Sequence, residues 1–219
     1  MMKATITSEM LNEKAYKRLK QAIFQSELPP GTRVFDSHIA EMFGISRTPV
    51  RDAIKMLINE GLIVNKGKSG NFILDVSEKD INELYDLRLL LEKYTIESFA
   101  KEGSSFCSDA AIAVLDKYDK NAPDYTEQFV RFDEEFHKLM VSFTSNQRLC
   151  KVYSDVIDQT KVFRKKQAVN HAKVGVAMQE HCKMVYASKE KEYDEAVAVI
   201  SKHIELARYQ ALKFFESEE

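Results

Sequence analysis

The sequence predicts a mainly α-helical protein of two parts, in which a small N-terminal domain with a β-hairpin precedes an antiparallel helical bundle. Apolar residues recur at helical spacing along most of the 219 residues. With only 7 Gly and 4 Pro, the chain has too little turn-forming material for a β-sandwich. Short β-prone runs and clustered glycines occur together before residue 77. We therefore expect two domains, residues 1–76 and 77–219.

Charge divides the chain at the same place. Residues 1–76 carry 11 Lys and Arg against 8 Asp and Glu, a net charge of +3, whereas residues 77–219 carry 21 against 26, a net charge of −5. Such asymmetry is typical of a chain whose first part faces nucleic acid. No apolar run approaches the roughly 20 residues of a membrane span, and the first residues lack the apolar core of a signal peptide. We therefore expect a cytoplasmic protein with no membrane partner.

Three helices are predicted before residue 61, over residues 9–26, 36–44 and 46–60. A short oxygen-bearing side chain at Asp36 or Ser37 is expected to cap the second helix, and that of Ser46 the third. Gly44 is expected to end the second helix in a left-handed conformation. The second and third helices are thus separated by a tight turn.

The third helix carries a row of cations on its exposed edge. Arg47, Arg51 and Lys55 follow one another at intervals of four residues, so their side chains share one face. Like charges at this spacing repel one another, and an isolated helix would gain from alternating signs. The row is easiest to understand if the phosphates of a nucleic acid neutralise it.

A β-hairpin is predicted after the third helix. Residues 62–64 and 71–74 are apolar and β-prone, and the residues between them are basic and rich in glycine. Two helices joined by a tight turn and followed by such a hairpin predict a winged helix-turn-helix. In that fold the recognition helix enters the major groove of DNA, and the wing reaches along the backbone or the minor groove.

These residues carry a family resemblance. Residues 28–31 (LPPG), 39–54 (IAEMFGISRTPVRDAI) and 60–63 (EGLI) resemble the DNA-binding domain of the GntR family. The resemblance implies operator contacts by Ser46, Arg47, Thr48 and Arg51, a phosphate contact by Arg33, and a wing shaped by Gly70. Arginine can bridge guanine O6 and N7, so Arg47 and Arg51 are the candidates for base recognition. In the wing, Lys66 and Lys68 are expected to act electrostatically on phosphates.

The second part predicts a helical bundle. Helices are expected over residues 78–102, 109–121, 126–142, 147–166, 172–188 and 192–215. His137, His181 and His203 fall in the middle of such helices, and Asp133 lies one helical turn before His137. An antiparallel hairpin of the last two helices would place His181 and His203 at similar heights. One carboxylate and three imidazoles could then hold Zn²⁺ or Ni²⁺. From spacing alone, ordinary core histidines remain an equal alternative.

A second resemblance covers residues 78–215. The segments 132–137 (FDEEFH), 145–149 (SNQRL), 180–181 (EH) and 203–204 (HI) are similar to the FCD effector domain of the FadR branch of GntR regulators. The resemblance implies a divalent ion held by Asp133, His137, His181 and His203, and a small carboxylate effector. It also makes Arg88 and Asn146 candidates for the effector pocket. Arg164 is a third candidate anchor, with a solvent-facing arginine as the alternative.

Taken together, these features predict a ligand-responsive transcription regulator, most simply a repressor, that binds operator DNA as a homodimer. Two-fold symmetry doubles the base contacts of one head and sets the spacing of the half-sites. A metal-dependent, hydrolase-like enzyme with an accessory basic domain is the alternative, because a metal with an open position can activate water. A DNA-bending protein without a ligand is a third possibility. The hypothesis of an enzyme does not explain the basic N-terminal part.

Overall fold

The computed structural model of the protein describes residues 8–104, 113, 125–164 and 171–218. The chain divides into two compact units. The first comprises Met1–Ser77 and Asp158–Lys165, and the second comprises Glu78–Ile157 and Lys166–Glu219.

The first unit is a winged helix-turn-helix, as predicted. Its elements are α1 (Ser8–Phe24), β1 (Arg33–Val34), α2 (Asp36–Phe43), α3 (Arg47–Asn59), β2 (Ile63–Asn65) and β3 (Asn71–Ile73). The strands form an antiparallel sheet in the order β1-β3-β2, and a short 3-10 turn joins β2 to β3. The sequence did not predict β1, because two residues are too few to show a period.

The core of this unit lies between α1, α3 and the sheet. Leu19, Val50 and Leu57 are fully buried there, on the faces that the helical spacing predicts. Val162, from the Asp158–Lys165 segment, is buried in the same cluster. Asp158 Oδ2 also lies 2.7 Å from Lys20 Nζ. A helical segment distant in sequence therefore completes the core.

The predicted cap of α2 is wrong, whereas the predicted turn after α2 and the N-cap position of Ser46 in α3 are confirmed. Gly44 adopts φ 66° and ψ 34°, the left-handed conformation expected at the end of α2. Phe35, and neither Asp36 nor Ser37, occupies the N-cap position of α2. Ser46 is the N-cap residue of α3, but its side chain makes no capping hydrogen bond. The carboxylate of Asp36 binds arginine side chains of α3 instead.

The second unit is helical, as predicted. Its described helices are α4 (Glu78–Glu102), α5 (Tyr125–Ser142), α6 (Gln147–Arg164, whose last residues belong to the first unit), α7 (His171–Lys189) and α8 (Tyr193–Glu218). Helix α4 packs against α5 and α8, and α7 packs against the same two helices. Except for residue 113, the helix predicted over residues 109–121 lies outside the described residues. Among the described helices, none is long and apolar enough to cross a membrane.

Leu57 tests the core of the first unit, and its neighbour Met56 provides a matched control. Leu57 is 0% exposed and Met56 is 42% exposed on the same helix. Leu57→Ala is expected to lower the free energy of unfolding by about 2–5 kcal/mol, because it removes buried methyl groups and leaves a cavity. Met56→Ala should change it by less than about 0.5 kcal/mol. Urea denaturation followed by circular dichroism measures both changes, and equal losses would contradict this core.

Candidate DNA-binding surface and metal centre

The exposed face of α3 begins at the tight turn after α2. Ser46, Arg47, Thr48 and Arg51 are all exposed there, whereas Val50 points into the core. The helical period separates the two sets, because the buried stripe leaves the residues between its members on the outer face. The structure thus places on one surface the residues that we expect to contact DNA.

The cations of α3 have intramolecular counterions, which the sequence analysis did not foresee. Arg47 Nη2 donates to Asp36 Oδ1 at 2.7 Å, and Arg51 Nε donates to Asp36 Oδ2. Lys55 Nζ lies 3.2 Å from Asp52 Oδ1. The hydrogen bonds from the two arginines hold the pKa of Asp36 below its usual value. Phosphates are therefore not needed to explain why this row of like charges is tolerated.

The wing and β1 extend this surface. Gly70 has φ +98°, and a Cβ at this position would lie 3.3 Å from Arg33 Nε, so a side chain would be both strained and crowded. The Arg33 guanidinium lies 4.7 Å from the centre of the Phe35 ring, and Lys66 Nζ lies 5.0 Å from that of Phe72. Lys68 is exposed in the 3-10 turn. A groove of about 400 Å³ is lined by residues that include Arg33, Arg51, Lys55 and Gly70.

In the second unit, four side chains converge on one buried point. They are those of Asp133, His137, His181 and His203, and their ligand atoms all lie within 4.8 Å of one another. The Nε2 atom of His137 is 3.2 Å from that of His203 and 3.2 Å from that of His181. Asp133 Oδ1 lies 3.4–3.7 Å from the three Nε2 atoms.

These four residues come from helices that pack around the same point. Asp133 and His137 share one face of α5 because they are four residues apart. His181 lies in the middle of α7, and His203 lies in α8. The packing of α7 against both α5 and α8 brings the three histidines together.

Two carboxylates contact the histidines on the side away from this point. Glu180 Oε2 lies 2.9 Å from His203 Nδ1, within hydrogen-bond distance. Glu92 Oε2 lies 2.6 Å from His137 Nδ1, in a close contact without the geometry of a hydrogen bond. Because a carboxylate attracts the ring proton, we assign that proton to Nδ1 in both rings. The lone pairs of the two Nε2 atoms then face each other across the centre.

The donor set fits a divalent ion. Lone pairs of nitrogen atoms 3.2 Å apart repel one another unless a cation or a proton lies between them. Ligand atoms bound at about 2.1 Å around one tetrahedral ion lie about 3.4 Å apart, close to the distances found here. Burial lowers the pKa of His181 to about 3, which keeps this imidazole neutral and able to bind a metal. The four residues could therefore hold a metal ion.

Arg88 is buried beside this centre with most of its hydrogen-bond donors unpaired among the described residues. It is 1% exposed, and its Nε donates to Glu92 Oε1 at 2.6 Å. Tyr153 Oη donates to the same oxygen at 2.8 Å. Burial by itself raises the pKa of Glu92, but the contacts with His137 and Arg88 outweigh it and lower this pKa to about 2. The Nη1 and Nη2 atoms of Arg88 are buried and have no hydrogen-bond partner among the described residues.

The described contacts of Asn146, a second candidate effector residue, do not include this cluster. Asn146 is exposed, and its Oδ1 accepts a hydrogen bond from Leu149 N at 3.1 Å at the start of α6. This is the geometry of a helix cap. The side chain of Arg164 lies outside the described part of the structure. Of the candidate effector residues, Arg88 is therefore the one that the described contacts connect to the histidines, through Glu92.

Four further residues have roles that were not predicted from the sequence: Asp36, Glu92, Glu180 and Tyr153. Glu92 carried a usable signal, because it follows Arg88 by four residues and such a pair shares a helix face. Glu180 stands next to His181 in sequence but contacts His203, 23 residues away. Tyr153 contacts Glu92 across 61 residues. Periodicity within one helix contains no information about these partners.

Comparison with known proteins supports both units. Residues 11–73 match the family described as bacterial regulatory proteins, gntR family, and residues 83–206 match the FCD domain. An HTH-type transcriptional regulator of Bacillus subtilis (strain 168), YdhC, is 27% identical over 190 residues, which cover 86% of this chain and 85% of that protein. The gluconate operon transcriptional repressor of the same organism is 37% identical over 83 residues, which cover 38% of this chain and 34% of that protein.

Solved structures show the same fold. That of E. coli McbR/YncC superposes with a TM-score of 0.74 at 19% identity, and the match covers 94% of this chain and 98% of that one. The FCD model covers more than half of this chain, and the gntR model covers the winged head that precedes it. The chain therefore belongs to the GntR family of bacterial transcription regulators and carries an FCD domain at its C-terminal side.

Proposed function

We propose that this regulator binds operator DNA through α3 and the wing, and that it senses a small carboxylate at a metal centre in its FCD domain. The observation that carries the proposal is the buried convergence of three Nε2 atoms and one carboxylate oxygen beside a guanidinium with two unused amino groups. The functional domains of the proposal are residues 1–76 and 77–219. A metal-dependent hydrolase does not fit, because the family and the relatives are transcription regulators.

We propose two kinds of DNA contact, to base edges and to the phosphate backbone. Arg47 and Arg51 present guanidinium groups on the exposed face of α3, where such groups can bind guanine O6 and N7. Ser46 and Thr48, in the first turn of α3, suit phosphate oxygens. The exposed cations Arg33, Lys66 and Lys68 supply charge that suits the backbone on the wing side, and Gly70 allows the close packing of Arg33.

For the metal, we propose Zn²⁺ or Ni²⁺. Three imidazole nitrogens and one carboxylate oxygen form a donor set that suits either ion, and the Irving–Williams order shows that these ligands alone do not choose between them. Glu180 supports the assignment because it fixes His203 with Nε2 toward the centre. Glu92 likewise contacts the Nδ1 atom of His137.

For the effector, we propose a small organic acid. A buried guanidinium is costly unless its donors are paired, and only the Nε of Arg88 has a partner among the described residues. The charge of Arg88 acts to lower the pKa of His203, and the charge of Asp133 acts to raise the pKa of Arg88. The guanidinium and the metal centre therefore interact electrostatically. A carboxylate that reached both would meet two cationic partners.

We further propose that the protein acts as a homodimer in the cytoplasm, where operator DNA is found. Leu87, Leu90 and Tyr94 follow one another on one face of α4 and are 43%, 64% and 45% exposed. An apolar face of this kind suits a second copy of the chain, and a two-fold dimer matches a palindromic operator. Repression is the sign of regulation that we propose, because the gluconate operon relative is named a repressor.

Replacement of either arginine of α3 tests base recognition. Arg47→Ala or Arg51→Ala is expected to weaken binding to a duplex selected by the wild-type protein by about 1–3 kcal/mol, because a bidentate contact to guanine is lost. Binding to a scrambled duplex should change far less. Fluorescence anisotropy at fixed salt measures both affinities. Equal losses on the two duplexes would show that the arginine contacts phosphate only.

The metal centre predicts about one divalent ion per chain in the purified protein. His181→Ala should abolish this content, because one of four ligands is lost. Glu180→Gln should weaken metal affinity about 10–100-fold, because His203 loses its charged partner. Elemental analysis and competition with a chelator measure these effects. The exposed Glu190→Gln variant is the control and should match the wild type. Unchanged metal content in His181→Ala would remove this residue from the site.

Arg88→Lys tests the carboxylate proposal. Acetate, lactate and succinate are added to the metal-loaded protein, and the unfolding temperature is recorded. A ligand at 100 times its Kd stabilises the folded state by about 2.7 kcal/mol, enough to raise this temperature measurably. The lysine variant keeps a charge opposite Glu92 but lacks the forked donors, so the shift should be lost while the metal is retained. The proposal would be contradicted if none of the three acids raised the unfolding temperature of the wild type. It would also be contradicted if the variant showed the same rise as the wild type.

A further inference from the structure

Asp36 is the shared partner of the two arginines that we assign to base recognition. It is the first residue of α2, and its two carboxylate oxygens each accept one hydrogen bond, from Arg47 Nη2 and from Arg51 Nε. The side chains of the arginines are 55% and 57% exposed, whereas that of Asp36 is 20% exposed. The carboxylate therefore lies behind two guanidinium groups that face solvent.

Helix capping does not explain this carboxylate. Phe35 is the N-cap residue of α2, and no side-chain cap is formed there. Within the described residues, the hydrogen bonds and ion pairs of Asp36 are those to Arg47 and Arg51. The described contacts of this carboxylate are therefore its hydrogen bonds with the two arginines of α3.

The pairing has two physical consequences. It holds two long side chains in defined positions, so less conformational entropy is lost when they bind a base edge. It also cancels part of their charge, so they attract any phosphate backbone less strongly. The bonded atoms are one amino group of Arg47 and the Nε of Arg51, which leaves the terminal amino groups of Arg51 outside the pair.

We propose that Asp36 is a specificity-determining residue of this regulator, an internal counterion that positions Arg47 and Arg51 and lowers their affinity for DNA of arbitrary sequence. The inference rests on the proposed role of these two arginines in base recognition. The attenuated charge weakens the attraction to every phosphate, whereas the positioned donors still match the two acceptors of a base edge. Asp36 thereby increases the difference between operator and other DNA without contacting a base.

The experiment uses the full-length protein and two duplexes. Wild-type protein first enriches a duplex from a randomised pool, and a scrambled duplex of the same length and composition is the comparison. The dissociation constants of both are measured over a range of salt concentrations for the wild type, Asp36→Asn and Asp52→Asn. Asp52 is the matched control because it lies on α3, pairs with Lys55, and gives the same change of net charge when replaced.

We expect Asp36→Asn to bind the scrambled duplex about fivefold more tightly, as the loss of two exposed ion pairs implies. Its affinity for the enriched duplex should rise less, so the ratio of the two affinities should fall. The salt dependence on the scrambled duplex should steepen by about one released counterion. Asp52→Asn should change both affinities by the same factor and leave the ratio unaltered.

A charge-retaining variant separates positioning from folding. Asp36→Glu keeps the counterion with a longer side chain, so it should discriminate better than Asp36→Asn. Equal shifts of both duplexes in Asp36→Asn and Asp52→Asn would overturn the inference, because net charge alone would then explain them. An Asp36→Glu variant that discriminates no better than Asp36→Asn would also overturn it. If the wild type enriches no duplex, the assigned DNA contacts of α3 fail instead.

Discussion

Glu92 is the group on which the interior of the second unit depends. Its carboxylate is fully buried, accepts hydrogen bonds from Arg88 and Tyr153, and contacts His137. These partners lie on three helices, α4, α5 and α6. A buried charge is tolerated only when its partners are in place, and removal of one partner from such a pair costs about 3–5 kcal/mol. The position of the histidine in α5 is thus tied to the packing of α4 and α6.

The same chemistry appears in the first unit under different conditions. Asp36 also binds two cationic groups, but its arginines are exposed, and exposed pairs contribute only about 0–1 kcal/mol each. Such a contact is weak enough for DNA to compete with it. The carboxylate in the bundle interior is therefore held firmly by its partners, whereas the carboxylate near the protein surface is held weakly.

The sequence predicted the four candidate metal ligands, but it did not show that these side chains meet. Asp133 and His137 share a helix face by their spacing, and this follows from the helical period alone. His181 and His203 lie on separate helices, and their approach depends on the rotation of each helix about its axis. Spacing could not distinguish a metal centre from ordinary core histidines. The resemblance to the FCD domain favoured the metal centre, and the packing of α5, α7 and α8 provides the geometry.

By itself, the sequence determined the helices, the left-handed turn at Gly44 and the exposed cationic face of α3, because each depends on residues within a few positions of one another. Only the tertiary structure decided which charges meet. Asp36 reaches arginines 11 and 15 residues away, Glu180 reaches His203, and Tyr153 reaches Glu92. The physical reason is that hydrogen bonds act over about 3 Å in space, and chain separation does not specify such distances until the helices have packed.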